Sequence, residues 1–200
     1  MKIMSKRSQQ VLMEKVQSSF DAHLNIFNGV ISSLTSGIME CASVMAEAIE
    51  KGRTIFWCGN GGSASDAEHL CAELVGRFNL ERASLPSIAL SSNTSTITSI
   101  GNDYGYDRVF SRQVEGLVRE GDILVGISTS GNSKNIEHAI ELANIKGCTT
   151  IVLTGREGGS LAQLGKYTLN VKGSDTARIQ EMHILVGHIL CDLIEVALIE

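Results

Sequence analysis

The chain has 200 residues, a hydrophobic content of 43% and a formal net charge of −5 at pH 7. This length suits one α/β domain with a sizeable core, and the acidic balance lacks the basic surface typical of nucleic-acid-binding proteins. We interpret the hydrophobic runs as shorter than a membrane span and find no signal-type segment. We therefore expect a cytoplasmic protein with neither a membrane nor a nucleic-acid partner.

Helical periodicity comes first along the chain. Residues from Gln9 to about Lys51 predict two helices, broken around Ser32 to Gly37, where serine, threonine and glycine cluster. Strand-like runs and helical patterns then alternate, and a last helix is predicted over Ala177 to Ile199. The predicted strands are Thr54–Cys58, Ser87–Leu90, Asp122–Ser128, Thr149–Thr154 and Tyr167–Val171.

This alternation predicts a three-layer α/β/α sandwich around a five-stranded parallel sheet. We expect one domain over residues 1–200, with residues 1–51 as a helical extension packed on it. The loops that follow parallel strands share one edge of the sheet, which is where ligands bind in such folds.

A glycine-rich turn, Cys58 to Ser63, ends the first strand and opens a helix. Glycines permit a tight turn and a close ligand approach, and the free N–H groups of a helix start attract an anion. Such turns also occur for packing alone. The helix that follows, from about Ala64, has His69 and Glu73 one turn apart, which is either a functional pair or a surface ion pair.

A second loop, Gly126 to Ser133, follows another predicted strand and precedes another helix. Its hydroxyl groups can surround a phosphate together with backbone donors, although serine and threonine are also ordinary turn and cap residues. Neither loop has the spacing of a nucleotide-binding motif. The hydroxyl groups belong to Ser128, Thr129, Ser130 and Ser133.

Five cysteines are widely spaced and include no CxxC pair, which indicates reduced, buried thiols in a cytoplasmic protein. They are Cys41, Cys58, Cys71, Cys148 and Cys191. A catalytic thiol at Cys58 is disfavoured, because this residue lies at the inward end of a strand. The last helix contains Gln180, Glu181, His183 and His188 among hydrophobic residues, and a histidine there is either a core residue or a group for proton transfer.

Six segments, in order over residues 51–200, resemble those of the phosphoheptose isomerase (sedoheptulose 7-phosphate isomerase) family, which has the sugar isomerase (SIS) fold. They are CGNGGS at 58–63, DAEH at 66–69 with Glu73, IGNDYG at 100–105, FSRQ at 110–113, GISTSGNS at 126–133, and RIQEMH at 178–183 with His188. One departure is Asn93, where the family often has Asp. Asn caps a helix about as well as Asp, so we expect fold and activity to persist.

The resemblance implies conversion of sedoheptulose 7-phosphate to D-glycero-D-manno-heptose 7-phosphate for bacterial heptose and lipopolysaccharide precursors. It also implies a homotetramer with active sites between subunits and one Zn²⁺ per subunit. The implied zinc ligands are His69, Glu73, Gln180 and His188. The implied substrate contacts, with Ser63 added from its place on the first loop, are Asn60, Gly61, Gly62, Ser63, Glu73, Asn102, Asp103, Ser128, Thr129, Ser130, Ser133 and Gln180.

Two residues have side chains suited to the implied chemistry. An aldose–ketose isomerisation moves a proton between neighbouring carbons through an enediol, which suits a carboxylate, while a second acid–base group serves the oxygens. Glu73 and His188 supply these groups. Because a metal-bound Glu73 is a poorer base, metal binding and the base role either alternate, or His188 performs more of the proton transfer.

We also predict how the site is assembled. Gln180 and His188 are eight residues apart, so a straight helix separates their Cα atoms by roughly 12 Å. Helical side chains lean toward the N-terminus, which points Gln180 away from His188. We therefore expect different subunits to contribute different members of the set, with Glu73 and His188 from separate chains.

Two other functions remain open within the same fold. A replication-initiator-associating protein has similar loops, but it lacks residues matching Glu73 and His188, which favours the enzyme. A sugar-phosphate sensor would use the phosphate loops alone.

Overall fold

Helices and strands alternate along the chain in the computed structural model. The structure describes residues 6–199. Residues 1–5 and 200, which include the outer bounds of the predicted domain, lie outside the described residues. A short 3-10 helix, Tyr106–Arg108, follows the third α-helix. The strands are β1 Ile55–Gly59, β2 Ser87–Ala89, β3 Ile123–Ser128, β4 Thr149–Gly155 and β5 Tyr167–Val171. The α-helices are α1 Lys6–Glu50, α2 Gly62–Val75, α3 Thr94–Tyr104, α4 Ser111–Leu117, α5 Lys134–Ile145, α6 Leu161–Leu164 and α7 Thr176–Ile199.

The five strands form one parallel sheet in the order β2-β1-β3-β4-β5. All five predicted strands are present, which confirms the predicted sheet. In the pairing of β1 with β3, Gly59 lies opposite Ile127. The loops after these two strands are therefore neighbours at the carboxyl edge of the sheet.

Helices cover both faces of the sheet, which confirms the three-layer architecture. Along β1, Ile55 and Trp57 pack into a core shared with α1, α2 and α7. The alternate residues Phe56 and Cys58 pack into a second core, shared with α4, α5 and α6. This alternation is the period of two that places successive strand residues on opposite faces.

Helix α1 is continuous from Lys6 to Glu50, so the predicted break between Ser32 and Gly37 is wrong. The hydroxyls of Ser32 and Ser33 donate to the carbonyl of Gly29 within the helix, which removes their competition with the helical backbone. A Cβ at Gly37 would lie 3.1 Å from Leu169 of β5. The glycine thus lets α1 approach the sheet closely and does not end the helix.

Two helices, α1 and α7, are long and hydrophobic enough to cross a bilayer by length and composition alone. The sequence-based interpretation that no hydrophobic run reaches that length was therefore wrong. Both helices pack against each other and against the sheet, with Met45 of α1 and Leu190 of α7 buried in the same core. Part of the hydrophobic surface of each helix therefore belongs to this core.

Candidate active site

The turn between β1 and α2 is tight, as its glycines predict. Gly61 has a φ of +56°, in the left-handed region that favours glycine. A Cβ at Gly62 would lie 2.5 Å from the side-chain amide of Gln180 on α7. The close approach at Gly62 is therefore made by a residue of the same chain, while Ser63 behind the turn is buried.

Asn60 is held in this turn by two residues that the sequence reasoning missed. Its side-chain amide exchanges two hydrogen bonds with the amide of buried Asn135, at 2.9 and 2.8 Å. The hydroxyl of Tyr106 also donates to Asn60 Oδ1 at 2.9 Å. These contacts leave one amide hydrogen of Asn60 for a ligand. Asn135 lies in the first turn of α5, two residues after the GISTSGNS segment, and Tyr106 directly follows the IGNDYG segment, so both lie beside recognisable motifs.

The hydroxyl loop, defined here as residues 128–133, joins β3 to α5. Ser128 Oγ lies 2.9 Å from Ser133 Oγ and 3.4 Å from Ser130 Oγ. Gly131 has a φ of +69°, and α5 starts immediately after Ser133. The loop thus gathers three predicted hydroxyls at the start of a helix, an arrangement suited to an anion. Thr129 is half-buried in the same loop.

The predicted residues Asn102 and Asp103 lie in the last turn of α3 and are exposed. The hydrogen bond that the structure gives them joins Asn102 Nδ2 to Asp103 Oδ1 at 2.8 Å. They are not brought into hydrogen-bond contact with the two loops. At the other end of this helix, Asn93 Oδ1 accepts from the backbone N–H of Thr96 at 3.0 Å, which confirms the expected capping role of Asn93.

One chain brings His69, Glu73 and His188 together. His69 Nε2 lies 3.2 Å from Glu73 Oε1 on the same helix and 2.9 Å from His188 Nε2 on α7. One ligand atom from each residue lies within 4.8 Å of the other two. The prediction that Glu73 and His188 come from separate chains is therefore wrong. It considered α7 alone, whereas α2 crosses α7 beside His188.

A close helix crossing explains this cluster. A Cβ at Gly187 would clash with the side chain of Leu70. These two residues are the sequence neighbours of His188 and His69, so the missing side chain at Gly187 lets the two imidazoles meet. Phe78, in the loop after α2, stacks on His188 with ring centroids 5.4 Å apart.

Gln180, a predicted metal ligand, lies against Asp66 two turns before His188. Its Nε2 atom donates to Asp66 Oδ1 at 3.3 Å, and the buried Asp66 Oδ2 has no hydrogen-bond partner. Burial raises the pKa of the Asp66 carboxyl, although the hydrogen bond from Gln180 and the nearby imidazoles of His69 and His188 oppose the rise. Asp66 was not among the predicted site residues, but its position three residues before His69 on α2 points to the same helix face.

A buried ion pair fixes the loop that follows α2. Arg82 Nε lies 2.8 Å from Glu195 Oε1, and the two side chains are 4% and 0% exposed. Glu195 also accepts from the backbone amides of residues 78–80, each at 2.8 Å. Arg82 in turn donates to the backbone carbonyl of Glu73. The pair thus connects the end of α2, the loop containing Phe78 and helix α7.

Cys58, the cysteine considered as a catalytic thiol, is fully buried. Burial raises the pKa of its thiol to about 12, so the thiol stays protonated near neutral pH, which disfavours a catalytic role. All five cysteines are free, and all are buried except Cys71, which is half-buried.

Comparison with known proteins gives the chain a family. A family model described as the SIS domain matches residues 20–155. A phosphoheptose isomerase of Geobacter sp. (strain M21) is 48% identical over 92% of this chain and 96% of its own length. Another, from a Nitratiruptor species, is 50% identical over 92% of this chain and 98% of its own. The chain belongs to the phosphoheptose isomerase family of SIS domain proteins.

A solved structure of this family has the same fold. The phosphoheptose isomerase of Neisseria gonorrhoeae superimposes with a TM-score of 0.88 at 43% identity, covering 92% of this chain and 99% of that chain. The agreement confirms the predicted SIS fold. For this SIS domain chain, the sequence predicted the two loops and the His/Glu pair, and the structure adds Asp66, Phe78, Tyr106 and Asn135 around them.

Proposed function

We propose that the protein is an isomerase that converts sedoheptulose 7-phosphate to D-glycero-D-manno-heptose 7-phosphate. One observation carries this proposal: a carboxylate and two imidazoles, groups suited to moving a proton between neighbouring carbons, converge within one chain. Relatives named phosphoheptose isomerase, similar over nearly their whole length, support the same reaction.

We assign the phosphate group to the hydroxyl loop. Ser128, Ser130 and Ser133 offer hydroxyl donors, and the first N–H groups of α5 add backbone donors and the positive end of the helix dipole. A phosphate at the far end of the sugar is held equally in the ground and transition states. The loop therefore supplies affinity and orientation. We place Asn60 and the glycine turn against the sugar, where Asn60 donates its one remaining amide hydrogen.

We assign proton transfer to Glu73 and His188. The Glu73 carboxylate removes the proton from C1 of the ketose and returns it to C2, while His188 exchanges protons with the oxygens at C1 and C2. Phe78 holds the imidazole plane of His188 by stacking on it. The Arg82–Glu195 pair fixes the backbone around both groups without touching the substrate.

The His/Glu cluster fits a zinc ion. At zinc–ligand distances of about 2.0–2.2 Å, tetrahedral ligands lie roughly 3.3 Å from one another. The separations from His69 Nε2 are 3.2 and 2.9 Å, and the ligand atoms of all three residues lie within 4.8 Å of one another. We propose that His69, Glu73 and His188 hold the ion and that another subunit supplies Gln180, because Gln180 of the same chain lies against Asp66 two turns away on α7. Since ligand atoms bound to zinc cannot exchange protons, metal binding and the proton-transfer role of Glu73 and His188 would alternate. A bound zinc ion would polarise the carbonyl and stabilise the developing oxyanion.

We further propose a homotetramer with sites near subunit boundaries. The first part of α1 exposes several hydrophobic side chains by more than half of their surface, and large exposed hydrophobic patches mark interfaces. They are Val11, Leu12, Met13, Val16 and Phe20. Free, mostly buried cysteines fit a reducing, cytoplasmic setting, in which the product enters lipopolysaccharide precursor synthesis.

The test is turnover of sedoheptulose 7-phosphate by the purified protein, with and without a chelator and with zinc added back. Formation of the aldose at an enzymatic rate supports the proposal, and a reversible loss with chelator supports the metal. A sugar-phosphate sensor would bind the compound without converting it. A protein that binds only a partner would do neither.

A further inference from the structure

The hydroxyl loop rests on a second loop, residues 156–160, which follows β4 and which we call the bracing loop. A Cβ at Gly131 would clash with the carbonyl of Gly158, and one at Gly159 would clash with the carbonyl of Gly131. The backbone N–H of Leu161 donates to the carbonyl of Gly131 at 3.0 Å. The two loops therefore touch backbone to backbone.

Asn132 connects the bracing loop to the phosphate-facing hydroxyls. Its Oδ1 atom accepts from the backbone N–H of Ser160 at 3.1 Å. Its Nδ2 atom donates to the carbonyl of Ser130 at 3.0 Å, and its backbone N–H donates to Ser130 Oγ at 3.2 Å. A displacement of Ser160 would thus be transmitted to Ser130 through one side chain.

Glu137 gives Ser160 a second anchor. Its carboxylate is 8% exposed and accepts hydrogen bonds from Ser160 Oγ and, at 2.6 Å, from Lys134 Nζ. Glu137 lies in the first turn of α5, where its negative charge stabilises the helix but repels an anion bound at the same helix start. The negative charge of Glu137 should therefore lower phosphate affinity, whereas its hydrogen bond with Ser160 should raise it. Substitutions that remove one and keep the other can separate the two effects.

From this network we infer that Ser160 is a positioning residue for the substrate phosphate. Its backbone N–H holds Asn132 and, through it, Ser130. Its hydroxyl is anchored by the Glu137 carboxylate and lies 3.4 Å from Asn132 Oδ1 and 3.3 Å from the Gly131 carbonyl oxygen. This inference rests on the proposed phosphate role of the hydroxyl loop. Ser160 itself needs no contact with substrate, so its loss changes affinity and leaves the proton-transfer step unaltered.

The first experiment measures sedoheptulose 7-phosphate binding by calorimetry in the inactive Glu73→Gln background, with and without Ser160→Ala. Ser160→Ala keeps the backbone N–H bond to Asn132 but removes the hydroxyl contacts with Glu137, Asn132 and Gly131. We expect it to weaken binding about threefold, less than the loss of the Ser130 hydroxyl itself, because it acts through the position of Ser130. In the otherwise unaltered enzyme it should raise KM by a similar factor with kcat within about twofold. Thr168→Ala is the matched control, because that hydroxyl donates at 3.1 Å to the carbonyl of Ala162 on α6, and it should leave both constants unchanged.

Two substitutions of Glu137 separate its hydrogen bond to Ser160 from its negative charge. They also test the role of Ser160 if Ser160→Ala does not fold. Glu137→Gln keeps an acceptor for Ser160 and removes the charge, so affinity should stay the same or rise. Glu137→Ala removes the acceptor as well, so affinity should fall relative to Glu137→Gln. Equal affinities for these two variants, or an unchanged affinity in Ser160→Ala, would overturn the inference. Folded Glu73→Gln protein that binds no sedoheptulose 7-phosphate would instead overturn the proposed function, and this inference with it.

Discussion

The hydroxyl loop and the His/Glu cluster both hold polar side chains close together, but the loop draws them from one short segment and the cluster draws them from two distant helices. The loop's three serines lie within six consecutive residues and contact one another directly. In the cluster, His69 and His188 are 119 positions apart in sequence and meet where two helices cross. The groups proposed to bind the phosphate are therefore defined by local sequence, whereas the groups proposed to move protons depend on helix packing.

The supports of the two regions differ in the same way. The cluster lies between a close helix contact at Gly187 and a fully buried ion pair, Arg82–Glu195. The hydroxyl loop lies against one neighbouring loop, through glycine backbone and Ser160. Damage to the cluster should consequently affect both turnover and stability, while damage to the loop should affect mainly affinity.

The largest expected effect is at the cluster itself. Glu73→Gln and His188→Gln each remove an acid–base group with little change in size, and each should reduce kcat by a factor on the order of 10² or more. Steady-state kinetics on the purified variants measure this loss. Circular dichroism should show both folded, and near-normal turnover in either would remove that residue from the proton-transfer role.

Mixing the same two variants tests whether one chain forms the cluster. Since Glu73 and His188 meet within one chain, hybrid oligomers contain only defective sites, and activity should not recover after subunit exchange. Mass spectrometry would verify that mixed oligomers formed. Recovered activity would show that Glu73 of one chain acts with His188 of another, so that the cluster would depend on subunit contacts and not on the helix crossing within one chain.

The next effect in size concerns the helix crossing. In Gly187→Ala the added methyl group overlaps Leu70, and overpacking of this kind costs about 1–3 kcal/mol. We expect a lower free energy of unfolding in urea and a lower kcat with little change in KM. Gly116→Ala is a matched control, because a Cβ there meets nothing within 4 Å. An unchanged kcat in Gly187→Ala would show that the spacing of the two helices does not position His188.

Acid should weaken the attachment of α7 to the sheet. Burial lowers the pKa of His183 to about 4, although the hydrogen bond between its Nε2 and the Thr154 carbonyl, at 2.8 Å, opposes the shift. Because the unfolded state binds a proton near pH 6.5, stability should fall by about 2 kcal/mol between pH 7 and pH 5, with little further loss from this group below pH 4. Urea titrations at both values should show a smaller difference in His183→Gln. An equal difference would assign the acid sensitivity to other groups.

The smallest effect is expected in the hydroxyl loop. Ser130→Ala removes one phosphate donor, a loss of about 1 kcal/mol, and should raise KM about fivefold while kcat changes little. Product-formation kinetics at varied substrate concentration separate the two constants. A large fall in kcat at constant KM would place Ser130 at the reacting atoms. The hydroxyl loop would then not differ from the His/Glu cluster in its role.

The sequence alone determined the sheet, the strand-to-helix loops and the last helix, because their signals are local. Alternating hydrophobic runs define strands, glycines define the turn at Gly61, and clustered hydroxyls define residues 128–133. It also gave the His69–Glu73 pair, since residues four apart lie on one helix face. The predicted helix break at Ser32–Gly37 was wrong. The serine, threonine and glycine residues there are typical of a loop, but α1 continues through them and packs against β5.

Tertiary structure decided everything that depends on contact between distant segments. It brought His188 to His69 in one chain through the Gly187 contact, and it directed Gln180 to Asp66. It also added Asn135 behind the glycine turn and Ser160 behind the hydroxyl loop. Helical periodicity states which face of a helix is buried but not which residues it meets, because the helix spacing is set by side-chain volumes on both partners.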